Sequence, residues 1–215
     1  MLTEAIAKLL SASDLPEPPP QDPLPLLAAW FEQARASGKY DDHNALALAT
    51  STPDGAPSVR MVLAKMIEVE RGAVAFYTNY DSRKGRELAA NPRVAGVFHW
   101  PHAKRQARVE GVVERMSPAE SDEYFHSRPL LSRVGACVSR QSTEIGSRAE
   151  LVAGALSLAK AAAGGAPISR PAYWGGFRIM LTAVELWSGH EGRLHQRVRW
   201  SREPGGPWRH ALLAP

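Results

Sequence analysis

The sequence predicts a mainly β chain, folded as an antiparallel barrel or curled sheet with flanking helices. Three observations predict it. Six or seven segments carry the composition and alternation of strands. Most links between them are short, which favours antiparallel pairing because parallel pairs need long crossovers. Helices are inserted late among the strands. The 215 residues suit one large domain, or one domain with decorations, and 44% hydrophobic residues are enough for a core.

The elements follow in order. Residues 2–11 read as a short amphipathic helix, and DLPEPPPQDP (14–23) as a stiff extended arm rather than core. Residues 1–21 are therefore an N-terminal helix and proline-rich arm, and 22–215 the main domain. Asp22 and Pro23 read as N-cap and N1 of a helix to about Ser37, with Leu26, Leu27, Trp30, Phe31 and Ala34 at helical spacing. Strands are expected at 44–50, 57–67 and 73–79. A helix over 82–90 follows and stops at Asn91-Pro92. The segments 93–100 and 104–116 read as a hairpin. In the second, Ala107, Val109, Gly111 and Val113 face one way and Gln106, Arg108 and Glu110 the other. Ser117-Pro118-Ala119-Glu120 is a capping box opening a helix that ends near Arg128-Pro129. A further helix fits 147–163, and the last strands fit 174–187, 193–200 and a short terminal segment.

The charge balance is +4, which mildly favours anionic ligands and is too small to establish nucleic-acid binding. No apolar run approaches the ~18 residues of a membrane span, and the first residues lack a basic n-region and cleavage site. Cys137 is the only cysteine, so no disulfide forms within the chain, and a cytoplasmic setting is expected. No metal site is expected, because ligand types are not clustered at ligand spacing.

Candidate chemistry gathers in a few places. Ser82, Arg83 and Lys84 stand where a helix begins, and a helix start with added cations is a seat for a phosphate. Tyr124 and Arg128 share a helix face, and Ser132 joins them through a loop. They form either a second phosphate shell or a helix-end arginine on the last carbonyls. Arg60 and Lys65 fall on opposite faces of an ideal strand, so they serve one ligand only across a bulge, or serve two. Over 193–200, alternation puts Arg193, His195, Arg197 and Arg199 on one face, either as a solvated edge or around an anion. Gln141 and Ser142 offer polar groups in a loop. The glycines of WGGF allow either close ligand approach or tight packing under Trp174, and Cys137 reads as an inert thiol. Two phosphate seats together point to a phosphorylated cofactor beside a phosphorylated substrate.

RMVLAK, FYTN-YDSRKGRELAANPR, RQARVEG, YFHSRP, SRQS, WGGFR and ELW…RLHQR, taken in order over 22–215, make the chain resemble the pyridoxamine 5'-phosphate oxidase family. The resemblance implies an antiparallel FMN-binding split β-barrel and a homodimer with FMN at the subunit interface. It implies oxidation of pyridoxamine or pyridoxine 5'-phosphate to pyridoxal 5'-phosphate, with molecular oxygen as acceptor and hydrogen peroxide released. Carried onto this sequence, the FMN contacts are Arg60, Met61, Val62, Leu63, Ala64, Lys65, Tyr77, Thr78, Arg83, Lys84, Gln106, Gln141, Ser142, Trp187 and Arg197. The substrate phosphate falls to Lys65, Tyr124, Arg128 and Ser132, and the reacting carbon to Arg193 and His195 as catalytic residues. Leu130, Arg133, Cys137 and Gln196 depart from the family pattern, and the arm lacks its Arg-x-x-Tyr pair. A phenazine-type FMN oxidase of a reduced metabolite, or a non-catalytic flavin-binding barrel, is the alternative on the same fold.

Overall fold

The computed structural model describes residues 14–215, so the helix expected over 2–11 lies outside the described residues. Helix α1 (Leu24–Ala36) leads into strands β1 (Ala45–Ser51), β2 (Pro57–Glu68) and β3 (Ala73–Asn79). Helix α2 (Arg83–Ala90) precedes β4 (Arg93–Trp100) and β5 (Arg105–Arg115). Helices α3 (Pro118–Ser127), α4 (Leu130–Val138) and α5 (Arg148–Ala163) come before β6 (Trp174–Ser188), β7 (Gln196–Ser201) and β8 (Arg209–Leu212).

The strands pair antiparallel in the order β3-β2-β1-β4-β5-β6-β7-β8, and β3 pairs again with β6. That second pairing closes six strands into a barrel and leaves β7 and β8 as an extension from β6. Alternation fills the barrel: Leu46 and Leu48, Phe76, Phe98, Val109 and Ile179 are all buried. Helix α1 plugs one end, with the Phe31 ring edge-on to Phe98 at 5.8 Å and Trp30 edge-on to Trp100 at 6.5 Å. Phe98 has no exposed surface, and its truncation to alanine removes about 3–5 kcal/mol of stability. A smaller cluster of Phe125, Val134, Ile168 and Trp174 holds α3, α4 and α5 against the other end of the sheet.

Four expectations change. Residues 14–23 are not simply an arm outside the core: Leu15 is buried in it, Trp200 Nε1 donates to Pro20 O at 2.8 Å, and Gln21 Nε2 to Trp208 O at 2.6 Å. Ser132 lies in helix α4, not in a loop, because Pro129 ends one helix and caps the next. The expected strand over 193–200 starts only at Gln196. Gly192 at φ 66° and Arg193 at φ 60° form a turn, so Arg193 and His195 do not share a strand face with Arg197 and Arg199. The N-cap of α1 is Pro23 rather than Asp22, although Asp22 Oδ1 still accepts from Leu24 N at 2.9 Å. The question of Arg60 and Lys65 resolves towards a bulge: Ala64 pairs with Phe76 and Met66 with Ala75, leaving Lys65 as the extra residue.

Candidate active site

The seat at the start of α2 is built from a tight turn after β3. Ser82 is fully buried; its Oγ accepts from Gly85 N at 3.2 Å and donates to Asn79 O at 2.7 Å. A Cβ on Gly85 would lie 2.0 Å from Tyr80 O, so only glycine lets the helix start this close to the strand end. Lys84 is buried, with its Nζ 3.0 Å from Ser82 Oγ and 2.7 Å from Gln141 Oε1. Thr78 Oγ1 donates to the same Gln141 oxygen at 3.4 Å. Burial, followed by the charge of Arg60, pulls the Lys84 ammonium down to about 8. Arg83 Nε and Arg60 Nη2 both donate to the buried Glu87 carboxylate, at 2.9 and 3.2 Å. Ser142 follows Gln141 in a left-handed conformation, φ 70°.

The corner between α3 and α4 supplies the neighbouring cleft, about 390 Å³, lined by Tyr77, Thr78, Arg128, Ser132, Gln141 and Trp174 among others. The Tyr77 and Tyr124 rings stack at 3.8 Å, Trp174 continues the stack, and the Arg128 guanidinium lies 4.5 Å over Trp174. Burial, reinforced by Tyr124, pushes the Tyr77 phenol up to about 12, so Tyr77 serves as a neutral hydroxyl. Arg128 Nη1 is buried without a hydrogen-bond partner, and Arg128 has no carboxylate partner among the described residues. A buried guanidinium N–H left unpaired is costly and calls for an anion. Beside this cleft, Arg178 is shared by Glu68 and Glu120, and its hydrogen bond, with those from Ser117, holds the Glu120 carboxyl down to about 2.

A third group lies at the far end of β6. Gln106 pairs across the ladder with Trp187, and Trp187 with Arg197, so the three form one row on β5, β6 and β7. Arg197 is held by the buried Glu185 at 2.9 Å and by Ala214 O at 3.0 Å. His195 packs against Trp187 with ring centroids 4.7 Å apart. Its Nδ1 accepts from His190 N at 3.1 Å, which makes the neutral ring the Nε2–H tautomer.

The structure therefore brings Thr78, Lys84, Gln141, Arg128 and Ser132 to adjoining clefts, with Arg60 and Arg83 joined through Glu87. Lys65 stands at the bulge, and its side chain makes no hydrogen bond or ion pair among the described residues. Of RMVLAK, Met61 and Leu63 face outward and are exposed, while Val62 and Ala64 are in the core, leaving those two only backbone to offer a ligand. Gln106, Trp187 and Arg197 are not brought to the first two groups. Trp174 and Trp187 lie near opposite ends of a 15-residue strand, on the order of 40 Å apart along it. Glu87 and Glu185 escape a search for cations and hydroxyls. The i,i+4 spacing of Arg83 and Glu87 was the available signal for the first.

A closed antiparallel barrel bearing cationic clefts at its rim defines the class: a split-barrel protein of the flavin-binding type. A family model described as pyridoxamine 5'-phosphate oxidase matches residues 32–162, and one described as the pyridoxine 5'-phosphate oxidase C-terminal dimerisation region matches 174–215. The pyridoxine/pyridoxamine 5'-phosphate oxidase of Gluconobacter oxydans (strain 621H) is 49% identical over 194 residues, covering 90% of this chain and 94% of that protein. Its counterpart in Rubrobacter xylanophilus is 48% identical, covering 90% and 87%. Among solved structures, PhzG from Burkholderia lata 383, in complex with tetrahydrophenazine-1-carboxylic acid, is 33% identical with a TM-score of 0.84, over 92% of this chain and 94% of that one. A pyridoxamine 5'-phosphate oxidase-related, FMN-binding protein from Nostoc punctiforme has the same fold at 16% identity, with a TM-score of 0.69 over 89% and 96% of the two chains. The chain belongs to the pyridoxamine 5'-phosphate oxidase family.

Proposed function

We propose that this chain uses its two adjoining clefts to oxidise a phosphorylated B6 vitamer. It is an FMN-dependent pyridoxine/pyridoxamine 5'-phosphate oxidase. The observation that carries the assignment of residues is the buried, unpartnered Arg128 Nη1, set beside Ser132 in an aromatic-walled cleft. Arg128, Ser132, Tyr124 and Lys65 hold the substrate phosphate. Arg83 and Lys84, with Thr78, Gln141 and Ser142 close by, hold the FMN phosphate. The donor set fits: Arg83 has committed only Nε, and Lys84 meets only neutral oxygens. Arg60 has spent both Nη groups on Leu48 O, Thr50, Ser58 and Glu87, so it acts there mainly through its charge.

The chemistry FMN supplies when bound is acceptance of a hydride and its passage to molecular oxygen, with release of hydrogen peroxide. The chain's part is position and charge. Arg193 and His195, the latter packed against Trp187, orient the vitamer ring from the second copy of a homodimer, and His195 donates from Nε2 because Nδ1 is occupied. Gln106, Trp187 and Arg197 complete the flavin site from the second copy of a homodimer. Two features support that arrangement: the length of β6 between the two half-sites, and the outward apolar row on β2, where Val59 is 68% and Met61 59% exposed. Among the described residues no helix is long and apolar enough to cross a membrane, and a cytoplasmic setting belongs to the same proposal.

The likeness to PhzG favours a second reading, oxidation of a reduced phenazine-type acid. Peroxide release from FMN-loaded protein separates the two. Turnover is expected with pyridoxine phosphate or pyridoxamine phosphate; turnover only with tetrahydrophenazine-1-carboxylic acid would replace the first reading with the second.

A further inference from the structure

We infer that Glu87 is a positioning residue that aims Arg83 at the FMN phosphate, an inference that rests on the function proposed above. Glu87 is 6% exposed and gathers donors from three elements. It accepts from Thr50 Oγ1 on β1, from Ser58 Oγ at 2.6 Å and Arg60 Nη2 at 3.2 Å on β2, and from Arg83 Nε at 2.9 Å on its own helix. Burial works to raise its carboxyl, but the hydrogen bonds from Ser58, Thr50 and Arg83 hold it at about 2, so it is ionised at neutral pH.

A carboxylate beside a phosphate seat is at first sight misplaced, since like charges repel. Its partners explain it. Arg60 is fixed by three hydrogen bonds within the barrel wall, and through a fourth, to Glu87, it offsets that residue's charge. Arg83 is otherwise loose: its side chain is 62% exposed, and Glu87 is its only ion-pair partner among the described residues. With Nε tied to Glu87 Oε1, the planar guanidinium presents both Nη groups as a fork, the geometry that grips a phosphate through two parallel bonds. Glu87 thus trades some attraction for a fixed donor geometry.

Two explanations then predict opposite signs. If Glu87 acts only as a charge, Glu87→Gln removes a repulsion and FMN binds more tightly. If it aims Arg83, the variant binds FMN more weakly, by roughly tenfold, the scale of one well-aimed charged hydrogen bond. Riboflavin lacks the phosphate, so its affinity is expected to stay within about twofold. The experiment titrates full-length apo-protein with FMN and with riboflavin by flavin fluorescence, and records the melting temperature of each variant. Equal weakening for both flavins would mean a general structural role and overturn the inference, as would unchanged or tighter FMN binding. Ser58→Ala, which keeps the carboxylate and removes one of its donors, covers the case in which Glu87→Gln fails to fold. It is expected to weaken FMN, and not riboflavin, about threefold, and an unchanged FMN affinity would overturn the inference. Wild-type protein that takes up neither flavin would overturn the proposed function itself, while a wild type that binds FMN normally beside an unaffected Glu87→Gln removes only the role given to Glu87.

Discussion

The cleft beside the start of β6 and the turn beyond its end are built by different means. At the first, side chains come from regular elements: Thr78 from β3, Lys84 from α2, Arg128 and Ser132 from the α3–α4 corner. Aromatic stacking of Tyr77, Tyr124 and Trp174 locks its wall. At the second, Arg193 and His195 sit in the turn between Ser188 and Gln196, shaped by Gly192 and by one hydrogen bond from the His190 backbone N–H to His195 Nδ1. Charge is also handled differently. Arg197 has Glu185 and Arg83 has Glu87, but Arg128 has no carboxylate among the described residues. A preformed cleft with uncompensated charge is suited to gripping an anion, and a glycine-dependent turn is suited to presenting groups to a ring.

The largest effect is expected where charge is uncompensated. Arg128→Ala removes a charged hydrogen bond worth about 1.5–3 kcal/mol, so KM for pyridoxine phosphate should rise roughly 10- to 150-fold with FMN content unchanged. Steady-state kinetics on the FMN-loaded variant checks this, and an unchanged KM would take Arg128 out of the phosphate seat and dissolve the contrast. The turn gives the next largest effect. Gly192→Val forces a β-branched residue to φ 66°, a conformation costing about 1–2 kcal/mol. A fall in kcat of roughly 5- to 30-fold is expected while FMN affinity holds and the melting temperature drops by only about 2–8 °C. Loss of FMN along with turnover would show that the two ends of β6 are not separable in this way.

The same division governs what the sequence discloses. The strand over 93–100, the capping box at Ser117 and the helix over 147–163 follow from local rules, and all stand as expected. The helix start at Ser82 is legible because N-cap, helix and cations are contiguous. Helix α4 was not, because a proline read as a stop also serves as a start, and the pairing of Ser132 with Arg128 depends on that corner. The run 193–200 looked like a strand because its alternation is real from Gln196 onward. Nothing local marks Arg193 as left-handed, a conformation imposed by the turn that Gly192 permits. Glu87 draws its donors from Thr50, 37 residues away, and Ser58, 29 away, which no pattern in one segment can reveal.

The smallest effect probes the cleft's own electrostatics. Lys84 is nearly enclosed, and burial together with Arg60 brings its ammonium from 10.5 to about 8. The unfolded chain keeps that proton up to the ordinary lysine value. Between pH 8 and 10.5 the unfolded state therefore binds more protons, and the Lys84 contribution to apo-protein stability improves as pH rises through that window. FMN binding has the opposite slope, because the phosphate is already a dianion and gains from Lys84 only while the lysine is charged. Affinity measured by fluorescence should be level from about pH 7 to 7.5 and roughly fourfold weaker by pH 8.5. Lys84→Arg, which stays protonated throughout, should flatten the FMN profile above 8. An FMN affinity that is level from pH 7 to 9.5 in the unaltered protein would mean that Lys84 does not face the phosphate, and would leave Arg83 to hold that end of the cofactor without it.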